Sequence, residues 1–118
     1  MARILIAEDE NTVANFVRRA LEHDGHEVHW AADGAQALER LNEERFDLLL
    51  TDIVMPVMDG IALALKASSQ WPDLPILMMT GYAEEKRRAH NLDTLIHDVL
   101  AKPFTLDELL AAVRKALK

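Results

Sequence analysis

Residues 48–60 read LLLTDIVMPVMDG, a run of leucines that meets a Thr-Asp pair and then a Met-Pro break. A strand rich in leucine belongs in a hydrophobic core, where an ionised carboxylate is costly unless it is paired or bound to a metal. Asp52 stands where the apolar run ends, so we expect it at the rim of a sheet. The rest of the chain indicates whether this carboxylate is structural or chemical.

The composition favours one folded domain that works away from membranes and nucleic acids. The chain has 118 residues, 50% of them hydrophobic, which is enough for one core and too short for two ordinary domains. The absence of cysteine excludes a disulfide scaffold or a thiolate metal site and fits a cytoplasmic protein. No apolar run approaches the roughly 20 residues that span a membrane. A net charge of −7 argues against direct nucleic-acid binding.

Short apolar runs alternate with helical patterns along the chain. The predicted strands are residues 3–7, 27–31, 47–51, 75–79 and 96–101. Gly25 ends the first helix, and Asp33 and Asp59 cap the next two. Thr105 and Glu108 form a capping box that opens the last helix. Strands that alternate with helices build βαβ units, so we predict one α/β domain with a parallel sheet and helices on both faces.

Polar side chains stand at the ends of four predicted strands. Glu8 and Asp9 follow the first strand, Asp52 ends the third, Thr80 follows the fourth and Lys102 follows the fifth. In an open parallel sheet these ends share one edge, where ligands bind. Neighbouring carboxylates raise one another's pKa unless a cation lies among them. An all-oxygen set suits Mg²⁺ with a phosphate oxygen, and Lys102 and Thr80 could contact other phosphoryl oxygens.

Four motifs resemble those of the receiver domain of two-component response regulators: AEDE at 7–10, TDIVMPVMDG at 51–60, TGY at 80–82 and AKPF at 101–104. The resemblance covers essentially the whole chain, and the motifs occur in the family's order and spacing. It implies a flavodoxin-like (βα)5 doubly wound sandwich with a parallel sheet of strand order 2-1-3-4-5. It also implies a cis peptide before Pro103.

The resemblance implies how the phosphoryl group would be bound. Asp52 would be the phosphoacceptor, taking the group from a histidine kinase or a histidine phosphotransfer protein of a bacterial phosphorelay. Thr80 would move to bond the phosphoryl group, and Lys102 would pair with it. These roles make the chain a signalling switch and not an enzyme.

The resemblance also implies a Mg²⁺ site. Asp9 and Asp52 would bind the ion directly, with the backbone carbonyl of Val54 as a third protein ligand. Glu8 would act through a metal-bound water. The phosphoryl chemistry of Asp52 would then depend on Mg²⁺.

We expect residues 1–118 to form a single receiver domain with no output domain, so that its output is a protein contact. The fourth helix, fifth strand and fifth helix are the expected contact surface. The stretches AEDE, FDLLLTDIVMP and KPF are similar to stand-alone CpdR-type regulators. That similarity implies a proteolysis adaptor whose unphosphorylated form works with the machinery of an ATP-dependent protease.

Three other interpretations stay open. The chain could be a receiver domain excised from a larger transcription factor or hybrid kinase. It could be a non-phosphorylated binding scaffold, although all five site positions carry the expected residue types. An aspartyl-phosphate phosphatase is disfavoured because such enzymes use Asp-x-Asp, and Val54 stands where the second aspartate would be.

Overall fold

The computed structural model describes residues 1–92 and 94–118, in which five strands alternate with five helices. The strands are β1 (Arg3–Ala7), β2 (Glu27–Ala31), β3 (Leu48–Asp52), β4 (Ile76–Thr80) and β5 (Asp98–Ala101). The helices are α1 (Asn11–His23), α2 (Gly34–Glu43), α3 (Gly60–Gln70), α4 (Ala83–His90) and α5 (Leu106–Ala116). Every helix in this described part of the chain is too short or too polar to cross a bilayer.

The described strands form one parallel sheet in the order β2-β1-β3-β4-β5. The chain moves outward from β1 to β2 and then returns to the other side of β1 for β3 and the strands that follow. The winding therefore reverses between β1 and β3, and a crevice at their carboxyl ends is where such folds bind ligands. The predicted α/β fold and strand order are confirmed.

The leucine run of β3 contributes to two hydrophobic cores, one on each face of the sheet. Leu49 belongs to the core covered by α2, α3 and α4, whereas Leu48 and Leu50 belong to the core covered by α1 and α5. All five residues of β3 are buried. A parallel strand with both faces covered is apolar throughout, which explains why this segment does not alternate. Each fully buried leucine stabilises the fold by roughly 1.5–3 kcal/mol.

Three strands differ from the predicted bounds. β3 and β4 each begin and end one residue later than predicted, and β5 begins at Asp98, two residues later. Asp52 and Thr80 are therefore the last residues of their strands, in register with Met79 and Ala101. At the carboxyl ends of β3 and β4, ladder pairing includes the polar residues Asp52 and Thr80, which lie one residue beyond the predicted bounds.

The residues predicted to begin and end helices do so. The side chains of Asp33 and Asp59 each accept the backbone N–H three residues later, at 2.8 and 2.9 Å. Thr105 and Glu108 form the reciprocal bonds of a capping box. Gly25, with φ at 92°, follows the last turn of α1. The caps satisfy backbone groups that a helix end leaves free, so these ends are specified locally. The Lys102-Pro103 peptide is cis, as the family resemblance implies.

Two glycines let the loop after Asp52 pack against neighbouring helix starts. The N–H of Gly60 donates to the carbonyl of Ile53 at 2.8 Å, and a Cβ on Gly60 would lie 2.1 Å from the carbonyl oxygen of Asp52. The N–H of Gly34 donates to the carbonyl of Met58 at 3.1 Å, and a Cβ there would lie 2.4 Å from that oxygen. The first turns of α2 and α3 therefore hold the loop in place.

We expect Gly60→Ala to destabilise the protein and to displace the backbone of Asp52, because a methyl group cannot lie 2.1 Å from a carbonyl oxygen. Overpacking of this kind costs roughly 1–3 kcal/mol. Gly81→Ala is the matched control, since its Cβ would meet the Cβ of Lys102 at an ordinary 3.7 Å. Urea unfolding would measure both variants, and equal free energies of unfolding would contradict the close approach.

Candidate functional site

The carboxyl edge of the sheet brings three carboxylates together. Glu8 and Asp9 follow β1 and Asp52 ends β3, and one oxygen from each lies within 4.8 Å of the other two. β1 and β3 are neighbours in the sheet, so the strand order produces this meeting. Glu8 is fully buried and Asp52 is 6% exposed, whereas Asp9 is exposed. Two members of the group are therefore buried, and the group is accessible to solvent on the side of Asp9.

Lys102 reaches the same group from β5. Its Nζ lies 2.8 Å from Oε1 of Glu8 and 3.2 Å from Oδ1 of Asp52. Its backbone N–H donates to the carbonyl of Thr80 at 2.8 Å, which fixes where the side chain begins. The side chain crosses the end of β4 to reach β1 and β3. One ammonium among three carboxylates leaves two negative charges uncompensated when all are ionised.

Burial and mutual repulsion shift the protonation of this group. Burial raises the pKa of Glu8 to about 7, with the hydrogen bond from Lys102 opposing the shift and the charge of Asp52 adding to it. Burial also raises the pKa of Asp52, against the attraction of Lys102. For Lys102, burial favours the neutral amine, but the hydrogen bond to Glu8 and the charge of Asp52 hold its pKa above the usual value. Carboxylates held together at such a cost favour a bound cation.

The donor set fits Mg²⁺. The group offers only oxygen atoms, and its exposed member, Asp9, faces the solvent from which a hydrated ion would arrive. Mg²⁺ prefers oxygen ligands and retains several of its waters. Val54 lies in the loop two residues beyond Asp52 and is 47% exposed. The metal roles of Val54 and the three acids stay predictions.

Thr80 lies at the same edge of the sheet, next to β5. It is the last residue of β4, is 3% exposed, and is in register with Ala101. Its hydroxyl accepts the backbone N–H of Tyr82 at 3.1 Å. In this structure the hydroxyl therefore bonds to its own loop, and its movement toward a phosphoryl group stays a prediction.

Sequence reasoning did not single out Trp30, which contacts the site through the backbone. Its indole N–H donates to the carbonyl of Glu8 at 2.7 Å. Only the register of the sheet would have indicated this contact, since Trp30 pairs with Ile6, two residues before Glu8. Register depends on how β1 and β2 meet, and residue patterns within each strand do not specify it.

Comparisons with known proteins agree with this geometry. A family model described as the response regulator receiver domain matches residues 4–114. The chain is 47% identical over 117 residues to the response regulator receiver protein CpdR of Brucella abortus. This match covers 99% of this chain and 98% of that protein.

Solved structures give the same result. A CheY-like response regulator receiver domain protein from Methanospirillum hungatei is similar with a TM-score of 0.92 at 32% identity, over 99% of this chain and 94% of that one. The response regulator TrrA of Thermotoga maritima, solved in complex with Mg(2+)-BeF, gives a TM-score of 0.90 at 29% identity. That match covers 99% of this chain and 100% of the other.

We expect the free energy of unfolding of the metal-free protein to decrease between about pH 5 and pH 8. The raised pKa values of Glu8 and Asp52 mean that the folded state binds these protons more tightly than the unfolded chain does. For Glu8 the stabilisation is complete below its unfolded pKa of 4.5 and is lost as the pH rises through about 7. Urea unfolding in EDTA at several pH values measures this decrease.

Asp52→Asn is the matched variant for this experiment. It removes a carboxyl group whose pKa is raised, and it keeps every histidine, the residue type that ordinarily titrates between pH 5 and pH 8. Its free energy of unfolding should decrease less steeply over the same interval, by about 1 kcal/mol for each unit of pKa shift removed. Parallel pH profiles of the wild type and Asp52→Asn would show that the pair does not interact as the geometry requires.

Proposed function

The chain belongs to the response regulator receiver domain family, and from this premise we propose that it is a phosphorylation-dependent switch whose phosphoacceptor is Asp52. Receiver domains take phosphoryl groups from histidine kinases or histidine phosphotransfer proteins. The observation that carries the proposal is the placement of Asp52. It ends a central strand, is 6% exposed, and lies 3.2 Å from the ammonium of Lys102 within a group of three carboxylates.

In the proposed reaction a carboxylate oxygen of Asp52 attacks the phosphorus of a phosphohistidine. A new O–P bond forms as the N–P bond breaks, and the electron pair of that bond returns to the imidazole nitrogen. The attacking carboxylate must be ionised, and the positive charge of Lys102 at 3.2 Å favours that form. Burial raises the pKa of Asp52 and so favours its neutral form, which makes the nearby ammonium of Lys102 necessary.

Mg²⁺ is the proposed cofactor. Glu8, Asp9 and Asp52 would hold it, with the backbone carbonyl of Val54 as a further ligand. When bound, the ion supplies positive charge close to the oxygens of the transferred group. The TrrA structure in complex with Mg(2+)-BeF supports the proposal, since that protein has the same fold over 99% of this chain.

Lys102 and Thr80 are proposed to bind the phosphoryl group once it is attached. Lys102 would exchange its contact with Asp52 for one with a phosphoryl oxygen. The hydroxyl of Thr80 would leave the N–H of Tyr82 and turn to the same group. Because Tyr82 directly precedes α4, this exchange would transmit the phosphorylation state to that helix.

We propose that the output is a protein contact made by a single receiver domain in the cytoplasm. The match to CpdR, which spans 98% of that protein, supports a single-domain regulator. α4, β5 and α5 form the proposed contact surface. β5 is an edge strand with Asp98 and Ala101 exposed, and α4 presents exposed Lys86, Arg87 and Arg88. By similarity to CpdR-type regulators, the partner would be the machinery of an ATP-dependent protease.

Incubation with Mg²⁺ and acetyl phosphate should add one phosphoryl group to the wild-type protein, measured as its intact mass. Asp52→Ala, and the wild type in EDTA, should stay unmodified. Asp59→Asn is the matched control, because this carboxyl group follows the same strand but caps α3 instead of joining the acidic group. An unmodified wild type that is folded and binds Mg²⁺ would contradict the proposal and favour a binding scaffold.

The unphosphorylated protein should bind the substrate-recognising unfoldase of an ATP-dependent protease more tightly than the phosphorylated protein does. A coupling of about tenfold is expected, within the usual range for two linked sites. Biolayer interferometry with immobilised unfoldase measures it, using Asp52→Ala as a form that stays unphosphorylated. Equal affinity of the wild type before and after treatment with acetyl phosphate would rule out this output.

A further inference from the structure

The indole of Trp30 connects the edge strand β2 to the backbone of the acidic group. Its Nε1–H donates to the carbonyl of Glu8 at 2.7 Å. The ring is partly buried and packs against the core beneath α1 and α5. The reaction proposed above gives this contact no role.

This contact replaces a backbone hydrogen bond that would form if β2 continued for two more residues. β1 and β2 are paired in parallel up to Ala7 and Ala31, and the N–H of Glu8 donates to the carbonyl of Ala31 at 3.1 Å. In a parallel ladder the next bond would run from the N–H of residue 33 to the carbonyl of Glu8. β2 ends at Ala31, and Asp33 caps α2. The side chain of Trp30 supplies the donor instead.

Fixing this carbonyl fixes the peptide that leads to Asp9. The carbonyl of Glu8 and the N–H of Asp9 belong to one planar unit, so a bond to the oxygen also sets the direction of the Asp9 backbone. The Glu8 side chain has its own anchors, Nζ of Lys102 at 2.8 Å and the N–H of Glu10 at 3.2 Å. Asp9 is the exposed member of the acidic group, and its position follows from the backbone that carries it.

We propose that Trp30 is a positioning residue of the acidic site, whose indole N–H holds the Glu8–Asp9 peptide so that Asp9 faces Glu8 and Asp52. The inference rests on one part of the proposed function, that this group binds Mg²⁺. Trp30 acts through a backbone carbonyl and does not bind the ion. Losing an outer hydrogen-bond partner of metal ligands weakens metal binding by roughly 10–100-fold, and the low end applies to a contact made through the backbone.

Trp30→Phe tests the inference because it keeps an aromatic ring in the core and removes the donor. Trp71→Phe is the matched control, since the other of the two tryptophans follows α3 at the opposite end of the sheet. The dissociation constant for Mg²⁺ is measured by calorimetry for both variants and the wild type, and urea unfolding confirms that each is folded. Trp30→Phe should bind Mg²⁺ about tenfold more weakly, and Trp71→Phe should bind it as the wild type does.

A measurement on the wild type keeps the inference testable if Trp30→Phe does not fold. The indole N–H resonance of Trp30 should shift when Mg²⁺ saturates the protein, and that of Trp71 should not. An unshifted Trp30 resonance, or an unchanged Mg²⁺ affinity in folded Trp30→Phe, would overturn the role of Trp30 and leave the metal site standing. A wild type that binds no Mg²⁺ would overturn the metal site itself.

Discussion

The ion pairs of Lys102 with Glu8 and Asp52 are the interaction on which the candidate site depends. Burial raises the pKa values of both Glu8 and Asp52, and repulsion from a neighbouring carboxylate, Asp52 for Glu8 and Asp9 for Asp52, adds to each shift. The ammonium at 2.8 and 3.2 Å offsets part of that cost. The single ammonium does not balance all of the negative charge. The remaining negative charge destabilises the metal-free site and favours the binding of a divalent cation. The negative charge at this edge therefore lowers the stability of the metal-free protein but favours the binding of a cation.

The fold satisfies those requirements by placing rigid elements around the acids. β1 and β3 are buried at the centre of the sheet, so the residues at their carboxyl ends are set by ladder bonds and by two cores. The loop after Asp52 is held by the close approach of Gly34 and Gly60. The backbone of Glu8 is held by the indole of Trp30. Thr80, in contrast, bonds to the start of the segment that leads into α4, so the site is connected on that side to an exposed surface.

Much of the architecture was predictable because its causes are local. Alternation of apolar runs with helical spacing predicted the α/β class, and the caps at Asp33, Asp59 and Thr105 follow from side chains that bond three residues ahead. The errors lie at the strand ends. The predicted bounds of β3 and β4 stop one residue short of Asp52 and Thr80, although ladder pairing includes both. A hydrophobic pattern reports which side chains are buried, and it contains no information on where backbone pairing stops.

The sequence by itself determined which residues stand at the carboxyl ends of the strands, since strand positions and their order along the chain can be inferred from short segments. Only the tertiary structure decided how those residues meet. The distances from Lys102 to Glu8 and Asp52, the exclusion of a side chain at Gly60 and the bond from Trp30 join segments that are distant in the chain. Such contacts depend on sheet register and on how helices pack on the sheet, and these are properties of several elements together.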